Sequence, residues 1–280
     1  MSPDVEMTFM EHLEELRKRI LYCIYAVLPA TFVSFSFARP LLEAVTFHAR
    51  SLPPEARGIT RVPIEIGFSP VLGPFLSYRL DAHRETILQT LAPTETVVCL
   101  MKVAFVAAIF LVFPFIMFQV WKFVEPGLKE TEKKFLGPFL LSSWIFFIIG
   151  GLFGYLIMLK LAVPMLASFG HGIAVDNWSL ANYVSFVLRI LLVFGVIFEM
   201  PVIAALLSML GILTPAFLRH YRRYAILFNF IIAAILTPPD PVTMVIMVIP
   251  LLGLYELSIF VSYFFQRKPI TVPAPTKSSG

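Results

Sequence analysis

Charged residues are scarce in this chain of 280 residues. They make up 14% of it, against about a quarter in a typical soluble domain, while 58% of the residues are hydrophobic and the mean hydropathy is +0.84. This composition excludes a soluble globular protein, a disordered chain and a nucleic-acid-binding module. Long apolar runs separated by charged segments indicate instead a multi-spanning helical membrane protein.

The sequence also lacks the motifs of catalysis and metal binding. Its two cysteines form no disulfide framework or metal-ligand spacing, and its five histidines are scattered. There is no HExxH, no Gly-x-Ser-x-Gly, no phosphate-binding glycine loop and no intramembrane pair of aspartates. We therefore predict no catalytic residue, no metal site and no cofactor, and the protein is not expected to be an enzyme.

Six apolar runs predict an all-α bundle of six spans. Pro29 and Pro114 fall inside the first two runs and predict kinked helices. The fifth run is shorter than the roughly 20 residues that a spanning helix needs. The predicted spans are 20–37, 96–118, 135–159, 183–210, 224–236 and 242–265.

The segments between the spans predict the rest of the organisation. Residues 1–19 form an amphipathic N-terminal helix, and residues 266–280 form a disordered tail. The long loop 38–95 contains a second amphipathic helix, because apolar residues between Phe75 and Leu91 recur at roughly helical spacing. Gly150, which opens a run of small residues in the third span, predicts a close helix approach there.

The distribution of Lys and Arg predicts the orientation. Thirteen of them flank the spans on the side of the two termini and seven lie on the other side, six of these in the long loop 38–95. Because short cytoplasmic segments are enriched in Lys and Arg, both termini are predicted to be cytoplasmic and the long loop periplasmic.

Carboxylates are the most informative polar residues. Glu11, Glu14 and Glu15 precede the basic run 17–19, and Glu14 and Glu15 have the spacing of helical ion pairs with Lys18 and Arg19. They form either a solvated helix start or an acidic site for a cationic ligand. Glu132 and its neighbours in the next cytoplasmic loop either favour a helix start or provide a second acidic site. Two such sites suit a ligand with two guanidinium groups.

Two further carboxylates fall inside predicted spans. Glu199 lies deep in the fourth span, where an ionisable group must be paired, neutralised or hydrated. Arg189 is ten residues away, about 15 Å along the helix, so the two cannot pair directly, and Arg189 is expected to reach outward. Glu256 lies in the last span. Each carboxylate is either a protonated acid in an interhelical hydrogen bond or part of a functional polar site.

At this point the motifs resemble those of the TatC family, the receptor subunit of the twin-arginine protein translocase. The resemblance covers nearly the whole chain in order and spacing. It rests on His12–Arg19 (HLEELRKR), Gln119-Val120-Trp121 with Phe123 and Pro126, Phe194-Gly195-Val196, Phe198-Glu199-Met200-Pro201 and Leu236-Thr237-Pro238-Pro239-Asp240. It implies a concave, glove-like bundle with short fifth and sixth helices.

The resemblance also implies a function in the bacterial inner membrane. Folded precursors would bind through their twin-arginine signal peptides, single-span subunits of the TatA and TatB type would be recruited, and the proton-motive force would drive export. The implied signal-peptide site comprises Glu15, Arg17, Phe123, Pro126, Leu128 and Glu132. The implied polar site comprises Glu199 and Asp240, to which the residue reading adds Glu256.

Two alternatives remain open at this stage. A proton-coupled secondary transporter of a small solute would use Glu199, Glu256 and Arg189, and it would favour an internal repeat, which the sequence does not contain. An intramembrane enzyme is the third possibility, although the sequence offers no nucleophile. The expected partners under the first reading are signal peptides, single-span subunits, further copies of the chain and the lipid bilayer, and no nucleic acid.

Overall fold

The computed structural model describes residues 9–50, 88–125, 133, 136–169, 178–236 and 241–266. These residues form a bundle of long helices with one short pair of strands. The helices are α1 Phe9–Phe35, α2 Ala38–Arg50, α3 Glu95–Val124, α4 Leu136–Phe153, α5 Leu159–Phe169, α6 Leu180–Ile197, α7 Met200–Met209, α8 Pro215–His220, α9 Arg222–Leu236 and α10 Pro241–Phe265. A π-helical turn, Gly154–Met158, joins α4 to α5.

The two strands mark one end of the bundle. β1 (Leu88–Gln89) and β2 (Trp178–Ser179) pair in parallel, with Leu88 opposite Trp178. We call this the strand end, and the opposite end, where α1 begins, the amino end. The predicted N-terminal helix runs without a break into the first span, because α1 continues from Phe9 to Phe35.

Five segments of the described residues are long and apolar enough to cross a membrane. They are Met10–Phe35, Glu95–Val124, Gly137–Pro164, Leu180–Met209 and Met244–Phe265. The predicted all-helical membrane fold is therefore confirmed. The remaining predicted span, 224–236, corresponds to α9 and stays a prediction. The 15 residues of α9 extend about 22 Å, less than the roughly 30 Å of a bilayer's hydrocarbon core.

The last helix differs from the expectation of a short one. α10 has 25 residues, which corresponds to about 37 Å and is enough to cross a bilayer. Pro250 lies inside it without ending it. Neighbouring groups in a membrane bundle can satisfy the carbonyl that a proline leaves free, so the proline does not have to stop the helix.

The long loop contains a helix that the sequence reading missed. α2 follows α1 after a turn of two residues, and Val45, Thr46 and Ala49 on one of its faces are buried while Phe47 is exposed. The helix predicted between Phe75 and Leu91 falls mostly on residues outside the described ranges. Where it enters them, at Leu88, the chain is a strand.

The small residues of the third span allow two close approaches. A Cβ atom added at Gly150 would lie 2.5 Å from the carbonyl oxygen of Phe194 in α6. One added at Gly151 would lie 2.5 Å from the ring of Phe110 in α3. Since neither position leaves room for a methyl group, α4 packs directly against both α3 and α6, as the sequence predicts.

A single carboxylate organises the strand end. Glu95, the first residue of α3, is 8% exposed. One of its oxygens accepts hydrogen bonds from the Ser179 hydroxyl and the Ala181 amide, both at 2.7 Å. The other accepts from the amides of Leu91 and Ala92. The carboxylate therefore ties the start of α3 to the start of α6, and Ser179 in turn caps α6 by accepting from the Asn182 amide.

We predict that Gly150→Ala destabilises the bundle, because the new methyl group would overlap the Phe194 carbonyl and push α4 away from α6. Overpacking of this kind costs about 1–3 kcal/mol. Thermal unfolding of the protein in detergent measures the effect. The control is Gly137→Ala in the same helix, where no atom lies within 4 Å of the added Cβ, and its stability should not fall.

We predict that Glu95→Gln also destabilises the fold. All four groups that contact the carboxylate are donors, two at each oxygen, so an amide NH2 would face donors in either orientation. The expected cost is about 2–3 kcal/mol. Glu43→Gln in α2, at an exposed position, is the matched control. Equal melting temperatures for the Glu95 and Glu43 variants would contradict the prediction.

Candidate functional site

The start of α1 is joined to the end of α3 by one arginine. Arg19 Nη2 lies 2.8 Å from Glu15 Oε1, and Arg19 Nη1 donates to Gln119 Oε1 at 3.2 Å. Gln119 is buried, at 6% exposure, and lies one turn before the last residues of α3. Because Arg19 of α1 binds both Glu15 on its own helix and Gln119 on α3, it holds the Glu15 carboxylate in place where the two helices meet.

The two predicted ion pairs of α1 are both formed, but in different surroundings. Lys18 lies 3.1 Å from Glu14, and both side chains are more than 60% exposed. The Glu15 side chain is only 18% exposed. Its Oε2 atom is buried and has no hydrogen-bond partner among the residues described. Glu15 thus keeps one acceptor oxygen unused in a partly desolvated position. Glu14, in contrast, is exposed to solvent.

An aromatic contact supports the same junction. The rings of His12 and Phe123 stack with their centroids 4.3 Å apart. Arg17 is exposed on the neighbouring turn. An open groove runs along this part of α1, lined by Glu11, Glu14, Glu15, Lys18, Arg19 and Tyr22. The structure therefore brings Glu15 and Phe123 to one surface at the amino end.

Several predicted site residues lie outside the described ranges. They are Pro126, Leu128, Glu132 and Asp240. Of the loop between α3 and α4, the structure describes Glu125 and Lys133. The second carboxylate of the signal-peptide site therefore stays a prediction, and so does the acid before α10.

Glu199 lies at a break in the fourth span. α6 ends at Ile197 and α7 begins at Met200, so Glu199 is the residue from which the second helix starts. The side chain is 4% exposed, and the buried Ser143 of α4 lies close to it. Its Oε1 atom has no partner among the described residues. Pro201 explains the break, because it cannot donate to the carbonyl of Ile197.

Glu256 has a cationic partner. Its Oε2 atom accepts from Arg222 Nη2 at 2.7 Å, and both side chains are about half exposed. This pair joins α10 to the first residue of α9. Within the part of the chain that the structure describes, no hydrogen bond or ion pair links Glu199 to Glu256. The two carboxylates therefore lie in separate environments.

Comparison with known proteins places this arrangement in a family. The family model described as Sec-independent protein translocase protein (TatC) matches residues 11–250, which include Glu15, Gln119, Glu199 and most of the bundle. The chain belongs to the TatC family. The family is one of protein translocase components rather than enzymes, and the chain is a multi-pass membrane protein.

Individual TatC proteins match along nearly their whole length. A protein from Helicobacter pylori strain ATCC 700392 is 35% identical over 258 residues, which cover 92% of this chain and 88% of the relative. One from Aquifex aeolicus is 36% identical over 264 residues, covering 94% and 97%. A crystal structure of the twin-arginine translocase receptor TatC superposes with a TM-score of 0.73 at 35% identity, covering 92% of this chain and 100% of that one.

The sequence reading of this TatC protein missed three partners. Gln119 was noted within a motif but not as the residue that holds Arg19. Arg222 was counted with the loop charges and not as the counter-ion of Glu256. Ser143 was not singled out at all. Their sequence positions carry no signal of these contacts, because each partner lies on a different helix and only packing brings it near.

We predict that the Arg222–Glu256 pair stabilises the contact between α9 and α10. Because both side chains are half exposed, the expected coupling energy is only about 1 kcal/mol. A double-mutant cycle with Arg222→Gln and Glu256→Gln, followed by unfolding in detergent, measures it. Arg223→Gln, which removes the cation over the Tyr224 ring instead, is the control and should show no coupling to Glu256. Strictly additive effects of the first pair would contradict the prediction.

Proposed function

We propose that this protein is the core receptor of a twin-arginine translocase in the bacterial inner membrane, with both termini and the amino end of the bundle in the cytoplasm. Folded precursor proteins bind there through the two arginines of their signal peptides. The proposal rests on membership of the TatC family, on the distribution of Lys and Arg in the sequence, and above all on the unused oxygen of Glu15.

The position of Glu15 suits a guanidinium ligand. Arg19 pairs with Oε1 and leaves Oε2 as an acceptor, and because Oε2 is buried, an incoming arginine binds it only after a local side-chain movement exposes it. The carboxylate is held between two helices and loses little freedom on binding. The ring of Phe123, stacked on His12, lies at the same junction and offers an apolar surface beside the charge.

The second arginine binds Glu132 in this proposal, with Arg17, Pro126 and Leu128 shaping the surface around the peptide. Two separated carboxylates explain a requirement for two arginines, because each planar guanidinium can form paired hydrogen bonds with one carboxylate. A charge-assisted contact of this kind contributes about 1.5–3 kcal/mol.

The later steps follow from the rest of the bundle. The apolar part of the signal peptide lies along the concave face that includes Glu199. Single-span subunits of the TatA and TatB type contact α9 and α10 and, with further copies of this chain, surround the cargo. The proton-motive force drives export. Exposed apolar side chains on α9 and α10, such as Phe228, Ile235, Phe260 and Phe264, support a lipid or helix contact there.

We predict that Glu15→Gln weakens binding of a fluorescent twin-arginine peptide to the protein in detergent by about tenfold to a hundredfold, because one charge-assisted contact is lost. The matched control is Glu14→Gln. Glu14 also pairs with a basic residue one turn away, but it is exposed. Its variant should bind within threefold of the wild type.

A twin-lysine peptide completes this experiment. It should bind the wild type at least tenfold more weakly than the twin-arginine peptide, since an ammonium cannot form the paired contacts. If Glu14→Gln and Glu15→Gln weaken binding equally, or if both peptides bind alike, the acidic residues of α1 are a solvated helix start and the receptor site lies elsewhere.

A further inference from the structure

Two cations lie inside the predicted spans. Of the 22 Lys and Arg residues, only Lys102 in the second predicted span and Arg189 in the fourth fall within them. Both side chains are exposed on the surface of the bundle. A charge at this depth is costly unless it is paired or hydrated, so each cation needs a counter-charge or water.

The partners that the structure gives them are neutral. Lys102 Nζ donates to the Ser185 hydroxyl at 2.9 Å, and Arg189 Nη1 points to the carbonyl oxygen of Ile235 at 3.5 Å. Ser185 and Arg189 are one turn apart on α6, so both cations lie along one stripe of that helix. α3 provides Lys102 on one side of the stripe, and the end of α9 lies on the other.

The described acidic side chains of α3 and α10 are already paired or hydrogen-bonded. On α3, Glu95 accepts four hydrogen bonds at the strand end. α6 and α9 contain no acidic residue, and Glu256 of α10 is paired with Arg222. Glu199 is ten residues beyond Arg189, about 15 Å along the helix, and buried against α4. Within the described residues, no hydrogen bond or ion pair joins either cation to an acidic side chain, and this includes the exposed Glu43 of α2.

The depth of these cations follows from the unequal lengths of the helices. Arg189 is nine residues from the start of α6, so α9 ends beside it about 14 Å below the level at which α6 begins. Lys102 is seven residues after Glu95, which places it about 10 Å along α3 from the strand end. The described helices therefore form a step at the strand end, and both cations lie between the level at which α6 begins and the level at which α9 ends.

A bilayer around this step can supply the missing anion. The last carbonyls of α9 need polar partners beyond Arg189, and a polar boundary of the membrane close to the end of α9 supplies them. Phospholipid headgroups at that level are beside Lys102 and Arg189. Basic pockets between membrane helices bind anionic headgroups, and a phosphodiester that has no ammonium of its own offers one negative charge and several acceptor oxygens that two cations can share.

We propose that Lys102, Ser185 and Arg189 form a binding site for the phosphate of an anionic phospholipid in the leaflet at the strand end. The lipid phosphate supplies a counter-charge that the two cations share. This inference is independent of signal-peptide binding, since it concerns the chain alone and the opposite end of the bundle from Glu15.

Native mass spectrometry of the purified, delipidated protein with dioctanoyl phosphatidylglycerol tests the site. The wild type should bind this lipid about tenfold more tightly than dioctanoyl phosphatidylcholine, and the Lys102→Gln/Arg189→Gln variant should lose that preference. The control pair is Lys122→Gln/Arg219→Gln. It removes one exposed cation from the opposite end of α3 and one from α8 at the amino end, and should keep the preference.

Further arms separate the possible outcomes. The charge-conserving variant Lys102→Arg/Arg189→Lys should retain binding within threefold, and an equal loss in it and in the Gln pair would overturn the proposal. Inorganic phosphate at the same concentration should not displace the lipid, because it lacks acyl chains; full displacement would indicate a site for free anions instead. Unchanged lipid preference in the Gln pair would also overturn the proposal and point to an acidic side chain, from Asp240 or a partner helix, as the counter-charge.

Discussion

The interior of a bilayer offers no water to a polar group, and this constraint decides where each charged side chain of the bundle lies. Glu95 shows the most complete solution. Its carboxylate lies at the start of α3 and accepts hydrogen bonds from Ser179 and Ala181 at the start of α6. These bonds connect the two helices and offset the cost of burying the charge. The positive ends of two helix dipoles meet at this one negative charge.

The same constraint separates the other carboxylates by role. Glu256 is neutralised by Arg222, and Glu14 is exposed beside Lys18. Glu15 and Glu199 differ from these, because each keeps one buried oxygen without a partner in the described structure. An unsatisfied acceptor costs free energy in the unliganded protein, and a ligand that supplies a donor recovers it. This is the physical reason why the proposed function uses Glu15 and the break near Glu199 rather than the paired carboxylates.

Much of the architecture was predictable because the signals are local. Apolar runs of spanning length need no knowledge of neighbouring helices, and neither does the four-residue spacing of Glu15 and Arg19 on one helix face. Gly150 and the small residues after it likewise predict close packing of this helix without knowledge of which helix it contacts. The short α9 follows from the sequence Thr237-Pro238-Pro239-Asp240, which ends its apolar run. The residue reading gave the last span as 242–265, which agrees with α10, whereas the short last helix that the resemblance implied is wrong, since α10 continues through Pro250.

The sequence by itself determined that this protein lies in a membrane, which segments are long and apolar enough to cross it, and which few carboxylates are candidates for function. Its motifs also indicated the TatC family. Only the tertiary structure decided which polar groups meet: Arg19 with Gln119, Glu95 with the start of α6, Glu256 with Arg222, and Lys102 with Ser185. Each of these contacts joins two helices, often across many tens of residues. Composition and periodicity describe one helix at a time, whereas pairing depends on how the helices pack.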